Sequence, residues 1–170
     1  MTRANSISVR SGYTFRGNTQ FDTNGAHHLI QFKNLIKDGV SKKLDMSNLD
    51  KINSPTDNPK LHIKNGDILI VKTGDDRSAY LVENVPERTL VGQHFLIVSS
   101  TDPDKLPPEF ITFFINLPSS QLFLSTQTGG GKQPSIKKTA LEKLKIPLLS
   151  KEEQTELMVL ANEIGREKEI

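Results

Sequence analysis

Cysteine is absent from the 170 residues of this chain. Disulfides, thiolate zinc sites and a thiol nucleophile are excluded with it. No apolar run approaches the roughly 20 residues of a membrane-spanning helix, and the first residues lack the apolar core of a secretory signal. A cytoplasmic protein with no membrane contact is the expectation. Cofactor and catalytic signatures are missing as well. The run Gln127-Thr128-Gly129-Gly130-Gly131-Lys132-Gln133 has glycines and a lysine. However, Gln133 stands where a phosphate-binding loop needs Ser or Thr, and no buried strand leads directly into it. Leu106-Pro107-Pro108-Glu109 lacks the polar first residue and the aromatic of an aminomethyltransferase tetrapeptide. No Glu-x-Lys follows a paired Asp as a nuclease would need. Catalysis by this chain alone is not expected.

What is present begins with an uneven charge. Residues 151–170 hold three Lys/Arg against six Glu, a net of −3, while the preceding 150 residues hold nineteen against fourteen acids, a net of +5. The body is basic and the tail acidic, which permits nucleic-acid binding without demonstrating it. Hydrophobic residues make up 35% of the chain, and a single domain of this length buries enough surface to fold without staples.

The first 60 residues are polar, with short apolar pieces that read as short strands and loops, and Asp38-Gly39 reads as a turn. Leu61-His62-Ile63, a turn at Lys64-Asn65-Gly66-Asp67 and the run Ile68-Leu69-Ile70-Val71 read as a hairpin feeding a buried strand. Tyr80 to Val82 and His94 to Val98 are further strands. Phe110, Phe113, Phe114 and Leu117 repeat at i, i+3, i+4 and i+7, the stripe of a helix packed on a sheet. Pro118 ends that helix, and Ser119 can cap a second. Ser135 can cap a helical turn, and Lys145 to Leu149 reads as an edge strand. Ser150 and Glu153 form a capping box for a final helix, on which Leu157, Leu160, Ala161 and Ile164 make one apolar face. The expected fold class is α/β (α+β): a twisted, mostly antiparallel sheet with packed helices and a protruding C-terminal helix.

In this order the pieces resemble one target recognition domain of the specificity subunits of type I restriction–modification systems. Val9 to Gly17 (VRSGYTFRG) is similar to the family's opening glycine motif, and His28 to Gly39 to its second strand and turn. Gly66-Asp67-Ile68-Leu69-Ile70 with Gly74 resembles the central motif. Gly129 to Gly131, Leu144 to Leu148 and Glu152-Glu153-Gln154 resemble the closing run before the spacer helix. Two features depart from the pattern. A complete member carries two such domains and two long helices, and Phe15 and Leu149 stand where prolines are common. The resemblance divides the chain into a DNA-binding target recognition domain, 1–149, and the start of a spacer helix, 150–170. It implies duplex DNA, DNA methyltransferase (modification) subunits and restriction/motor subunits as partners. Cofactors are none in this chain, with S-adenosylmethionine, ATP and Mg²⁺ belonging to the partner subunits. The rival reading is a protein-interaction adaptor or assembly module with little intrinsic DNA binding.

DNA recognition needs donors on phosphates and planar or amide side chains at base edges. The loop from Lys72 to Arg77 offers Lys72, Thr73 and Arg77 beside a glycine; the other reading is a solvated hairpin tip. Lys132 and Gln133 are donors in the glycine-rich run, and Tyr13 and Arg16 flank Thr14 in the opening motif. His27-His28, His62 and His94 invite a metal reading. Adjacent strand histidines point to opposite faces, though, and no ligand-like spacing accompanies them, so no metal site is expected. The apolar stripe of the final helix is expected to support a weak homodimer.

Overall fold

A computed structural model of the chain describes residues 6–38, 41–54 and 56–168. Gly39 of the turn expected at Asp38-Gly39 lies outside the described residues. Nine strands come first: β1 (Ile7–Ser11), β2 (His27–Ile30), β3 (Leu35–Asp38), β4 (Ser41–Leu44), β5 (Asp50–Ile52), β6 (Ile68–Val71), β7 (Ala79–Leu81), β8 (Thr89–Val91) and β9 (Phe95–Ser100). Four helices follow: α1 (Pro108–Ile115), α2 (Pro118–Thr126), α3 (Lys138–Lys143) and α4 (Lys151–Lys168). The mixed α/β class is as expected.

One antiparallel sheet has the order β1-β9-β6-β7, a second the order β5-β2-β8, and β3 and β4 form a separate pair. Among the described strands, β2 and β8 are the parallel pair. The four-stranded sheet is covered on both faces. Ile68 and Ile70 of β6 and Leu96 and Val98 of β9 point toward α1, α2 and α3, where they pack with Phe110, Ile111, Leu124 and Leu141. Their neighbours Leu69, Val71, Phe95 and Ile97 point the other way, against Ile30, Tyr80 and Val91. Side chains alternate along a strand, so a strand covered on both faces is apolar at every position. All four residues of β6 are buried for that reason.

Local details correct several expectations. Leu61 to Ile63 is not a strand: Pro59–Leu61 is a 3₁₀ turn whose Asn58 side chain accepts from the Lys60 N–H, and the Ile63 N–H donates to the Thr89 carbonyl. Pro59 fixes a helical φ there, so no hairpin leads into β6. Helix α2 starts on Pro118 itself, where the missing N–H is harmless, and Ser119 is not its cap. Ser135 bridges Thr73 and caps nothing. Lys145 to Leu149 is not a strand: Pro147 makes an isolated bridge and Ile146 is buried in the core.

The capping box of α4 is formed. The Ser150 N–H donates to Glu153 Oε2 at 3.0 Å, and the Glu153 N–H donates to Ser150 Oγ at 3.2 Å. Gln154 is buried and donates through Nε2 to the carbonyls of Lys105 and Leu149, while Met158 packs against the core. The first turns are thus anchored to the body. Among the described residues no helix is long and apolar enough to cross a membrane.

Candidate nucleic-acid interface

Strand ends decide which loops meet. Parallel β2 and β8 stop together, with Ile30 beside Val91. β6 stops with Val71 opposite Phe95, where β9 begins. β1 runs past this level, since the Gly12 N–H donates to the Phe95 carbonyl at 3.0 Å and the Tyr13 N–H to the Val91 carbonyl at 2.8 Å. The segments after β1, β2 and β6, and the β8–β9 turn, therefore leave from one end of the molecule. A side chain at Gly12 would not fit this crossing, because a Cβ there would lie 1.9 Å from the Gly92 carbonyl oxygen.

The glycine-rich segment joins the same end. Thr73 bridges Ser135, the Ile136 N–H donates to the Lys72 carbonyl at 3.0 Å, and the Gly74 N–H donates to the Pro134 carbonyl at 3.2 Å. The Lys72 N–H in turn donates to the His94 carbonyl at 2.8 Å. Two stretches some sixty residues apart are hydrogen-bonded side by side, which brings Lys72 and Thr73 close to Lys132 and Gln133. Lys72 and Thr73 are half-buried, and Lys132 and Gln133 are exposed. Tyr13 is half-buried with its ring edge-on to Phe15, and Arg16 is exposed.

Arg77 departs from its expected place. The sequence puts it at an exposed loop tip, but it is 5% exposed. Its Nη1 donates to the Asp75 carbonyl at 3.4 Å, and its Nε has no partner. The chain turns inward after Asp76 because Ala79 and Tyr80 must enter the core as β7, and Arg77 goes in with them. A guanidinium so covered is not presented to a base edge.

The β8–β9 turn adds groups at this end, among them His94, which the sequence places at the start of a strand. Gln93 and His94 are exposed in the β8–β9 turn, and Thr14 Oγ1 donates to Gln93 Oε1 at 3.2 Å. Phe32 is 49% exposed, with ring centroids 5.8 Å from His94 and 5.1 Å from Phe95. Phe15, Gln31, Phe32, Gln93 and His94 line an open cavity of about 300 Å³. Gly92-Gln93 between two apolar strands was the available signal for this turn. The β3–β4 pair is tied in by Lys37, whose Nζ lies 2.8 Å from Asp76 Oδ2. Partial burial pushes the Asp76 carboxyl up, but Lys37 and Ser78 overcome it and hold it down at about 2.

At the opposite end, where β2 and β8 begin, His27, Asp57 and His62 converge. His27 Nε2 stands 3.4 Å from Asp57 Oδ1 without the alignment of a hydrogen bond, and His62 Nε2 stands 4.0 Å from the same oxygen. Arg88 grips Asp57 through both Nε and Nη2 and holds its carboxyl below the ordinary range. Burial, and then the charge of Arg88, push the His27 imidazole down.

No curated protein matches the chain at a significant level. Solved structures do. The S subunit of a type I restriction–modification system from M. genitalium superposes with a TM-score of 0.56 and 17% identity, over 91% of this chain and 35% of that one. A chain from a structure of complex assembly and conformational transition of the type I R-M system superposes with a TM-score of 0.66 and 17% identity, over 98% of this chain and 37% of that one. The fold is that of one part of such a subunit, and this chain spans little more than a third of either. Residues 29–158 match the type I restriction modification DNA specificity domain, and the chain belongs to that family.

Proposed function

We propose that the chain recognises a short sequence in duplex DNA. In this reading it serves as half of a specificity subunit that directs methyltransferase and restriction subunits to their target. The observation that carries it is the hydrogen-bonded junction of residues 72–74 with 134–136, beside the Tyr13–Gly92 crossing. It gathers exposed and half-buried donors at one end of the strands. Arg16, Lys72 and Lys132 suit phosphates, with Tyr13 and Thr73 as hydroxyl donors to the backbone. Gln133 and Gln93 have the amide that pairs with adenine. The chain itself is non-catalytic in this reading, and S-adenosylmethionine, ATP and Mg²⁺ act on the partner subunits.

A second reading, a protein-interaction module with little DNA binding of its own, is favoured by α4. Leu157, Leu160 and Ile164 are 41%, 53% and 47% exposed. With Ala161 they offer an apolar face to another helix, of a second copy or of a separate chain. Fluorescence anisotropy with labelled duplexes, selected from a random pool and titrated at several salt concentrations, separates the two. Recognition predicts one preferred site and a steep fall of affinity with salt. An adaptor predicts neither.

A further inference from the structure

We propose that His27, Asp57 and His62 form a binding site for one divalent transition-metal ion, at the end of the molecule opposite the recognition loops. One ligand atom from each residue lies within 4.8 Å of the others. Both histidine Nε2 atoms face the same carboxylate oxygen, at 3.4 and 4.0 Å. Ligands about 2.0–2.1 Å from a tetrahedral ion stand roughly 3.3 Å apart, so small side-chain movements would complete the set. His27 is 3% exposed, and neither of its ring nitrogens has a hydrogen-bond partner; His62 Nε2 is buried and unpartnered too. Buried polar atoms are ordinarily paired, and each lone one asks for an explanation. Two of them aimed at one carboxylate oxygen are explained together by a shared cation.

The donor set names the class of ion. Two imidazole nitrogens and one carboxylate oxygen suit Zn²⁺, Co²⁺ or Ni²⁺, whereas Mg²⁺ and Ca²⁺ seek oxygen ligands. Asp57 is exposed, which leaves an entry path and room for a water at the fourth position. Arg88 takes the part of the outer-shell group that orients a ligating carboxylate, donating from Nε to Oδ1 at 3.1 Å and from Nη2 to Oδ2. Its positive charge also works against a cation, so affinity is modest beside a site without it. The ion would brace three segments: the start of β2, the loop before the 3₁₀ turn, and the residue that follows that turn. Sequence spacing hides the set, because His27 and Asp57 lie far apart in the chain and come together through β2 pairing with β5 and β8 and the Arg88–Asp57 contact.

The test uses the whole chain, freed of metal by a chelator and titrated with Co²⁺ while the visible d–d absorption is followed. One equivalent is expected to saturate a single site. His62→Gln and Asp57→Asn should weaken binding by about tenfold or more, while His28→Gln and His94→Gln retain it. Asp57 is exposed, so Asp57→Asn stays informative if a histidine variant fails to fold. Zn²⁺ should raise the melting temperature of the unaltered chain and leave that of Asp57→Asn unchanged. Absence of a d–d band, or equal binding by Asp57→Asn, would overturn the site. So would loss of binding in His94→Gln alone.

Discussion

Arg88 and Arg16 sit near opposite ends of the strands, and their surroundings differ in kind. Where β2 and β8 begin, Arg88 is gripped by Asp57, and nearby Arg10 reaches Asp67 at 3.6 Å. Where those strands stop, Arg16, Lys72 and Lys132 make no ion pair among the described residues. A cation paired within its own fold is occupied and adds little stability at a surface. Cations left unpaired on converging loops only repel one another until a polyanion covers them. If the proposed DNA recognition holds, the contrast separates positive charge used for construction from positive charge held out for a partner. It is why the net +5 of the body matters less than where its unpaired part lies.

The largest effect should come from the residue that crosses this division. Arg77 belongs to the recognition loops by sequence and to the core by burial. Truncation to Ala removes a long buried side chain and should lower stability by about 2–4 kcal/mol, as such cavities do. Arg77→Met keeps most of the volume and removes the unpartnered Nε, so it should lose less than about 1.5 kcal/mol. Urea denaturation measures both. If Arg77→Met folds normally but loses sequence preference, Arg77 reaches DNA and the division is misdrawn.

Next in size are the free cations. Lys72→Ala and Lys132→Ala should each weaken binding to all duplexes alike and flatten the log–log salt dependence by about 0.9, the loss of one phosphate contact. Arg88→Ala, at the paired end, should leave that slope unchanged. Equal slopes in all three variants would abolish the proposed contrast.

A smaller effect concerns Asp76, which with Lys37 fixes the β3–β4 pair to the loop end. Its folded carboxyl titrates at about 2, below the roughly 3.9 of an unfolded Asp. The unfolded chain therefore binds the extra proton between those values. The contribution is fully present above pH about 4 and is lost as pH falls toward 2. Thermal unfolding of Asp76→Asn across this window should have a shallower acid slope than the unaltered chain. The pair is partly exposed, so the change is modest.

Legibility in the sequence followed how local each cause was. Ile68 to Val71 declared itself because burial on two faces is written in consecutive residues. The Ser150–Glu153 box is equally local. The phenylalanine stripe was legible only in part: Phe110 is buried and Phe113 and Phe114 pack partly against the core, but Ile111 and Ile115 complete the buried face, and Leu117 lies beyond α1 as the N-cap of α2. Arg77 was misplaced because its burial is set by β7 docking on β6, a tertiary event that no nearby residue signals. Leu61 to Ile63 alternates like a strand, but Pro59 and the Asn58 cap impose a 3₁₀ turn first. The candidate site was readable one loop at a time. That the 72–74 and 134–136 segments lie side by side was not. Gln93 went unnoticed because it belongs to no motif, and His94 was read as the start of the strand that begins at Phe95.

The smallest effect on the domain itself belongs to α4, which repeats the contrast of committed and uncommitted residues along one helix. Gln154 and Met158 are held by the body. Leu157, Leu160 and Ile164 follow one another on the adjoining face, each about half exposed. Since half of each side chain is already covered, pairing with a second helix gains roughly 1 kcal/mol per residue, about half of the 1.5–3 kcal/mol for full burial. Three such gains from each copy, roughly 6 kcal/mol for the pair, lie near the low end of the 4–15 kcal/mol or more of lost translational and rotational freedom and barely offset it. Two copies of this helix should therefore associate only weakly and at high concentration, whereas a longer partner helix would add the missing area. Sedimentation velocity across a concentration series should show a monomer with a slight rise toward dimer. Leu160→Glu should remove that rise while changing unfolding stability by no more than about 0.5 kcal/mol, as exposed surface substitutions do. A large loss of stability in Leu160→Glu would mean that the stripe is covered by its own body, and α4 would then have no face to offer.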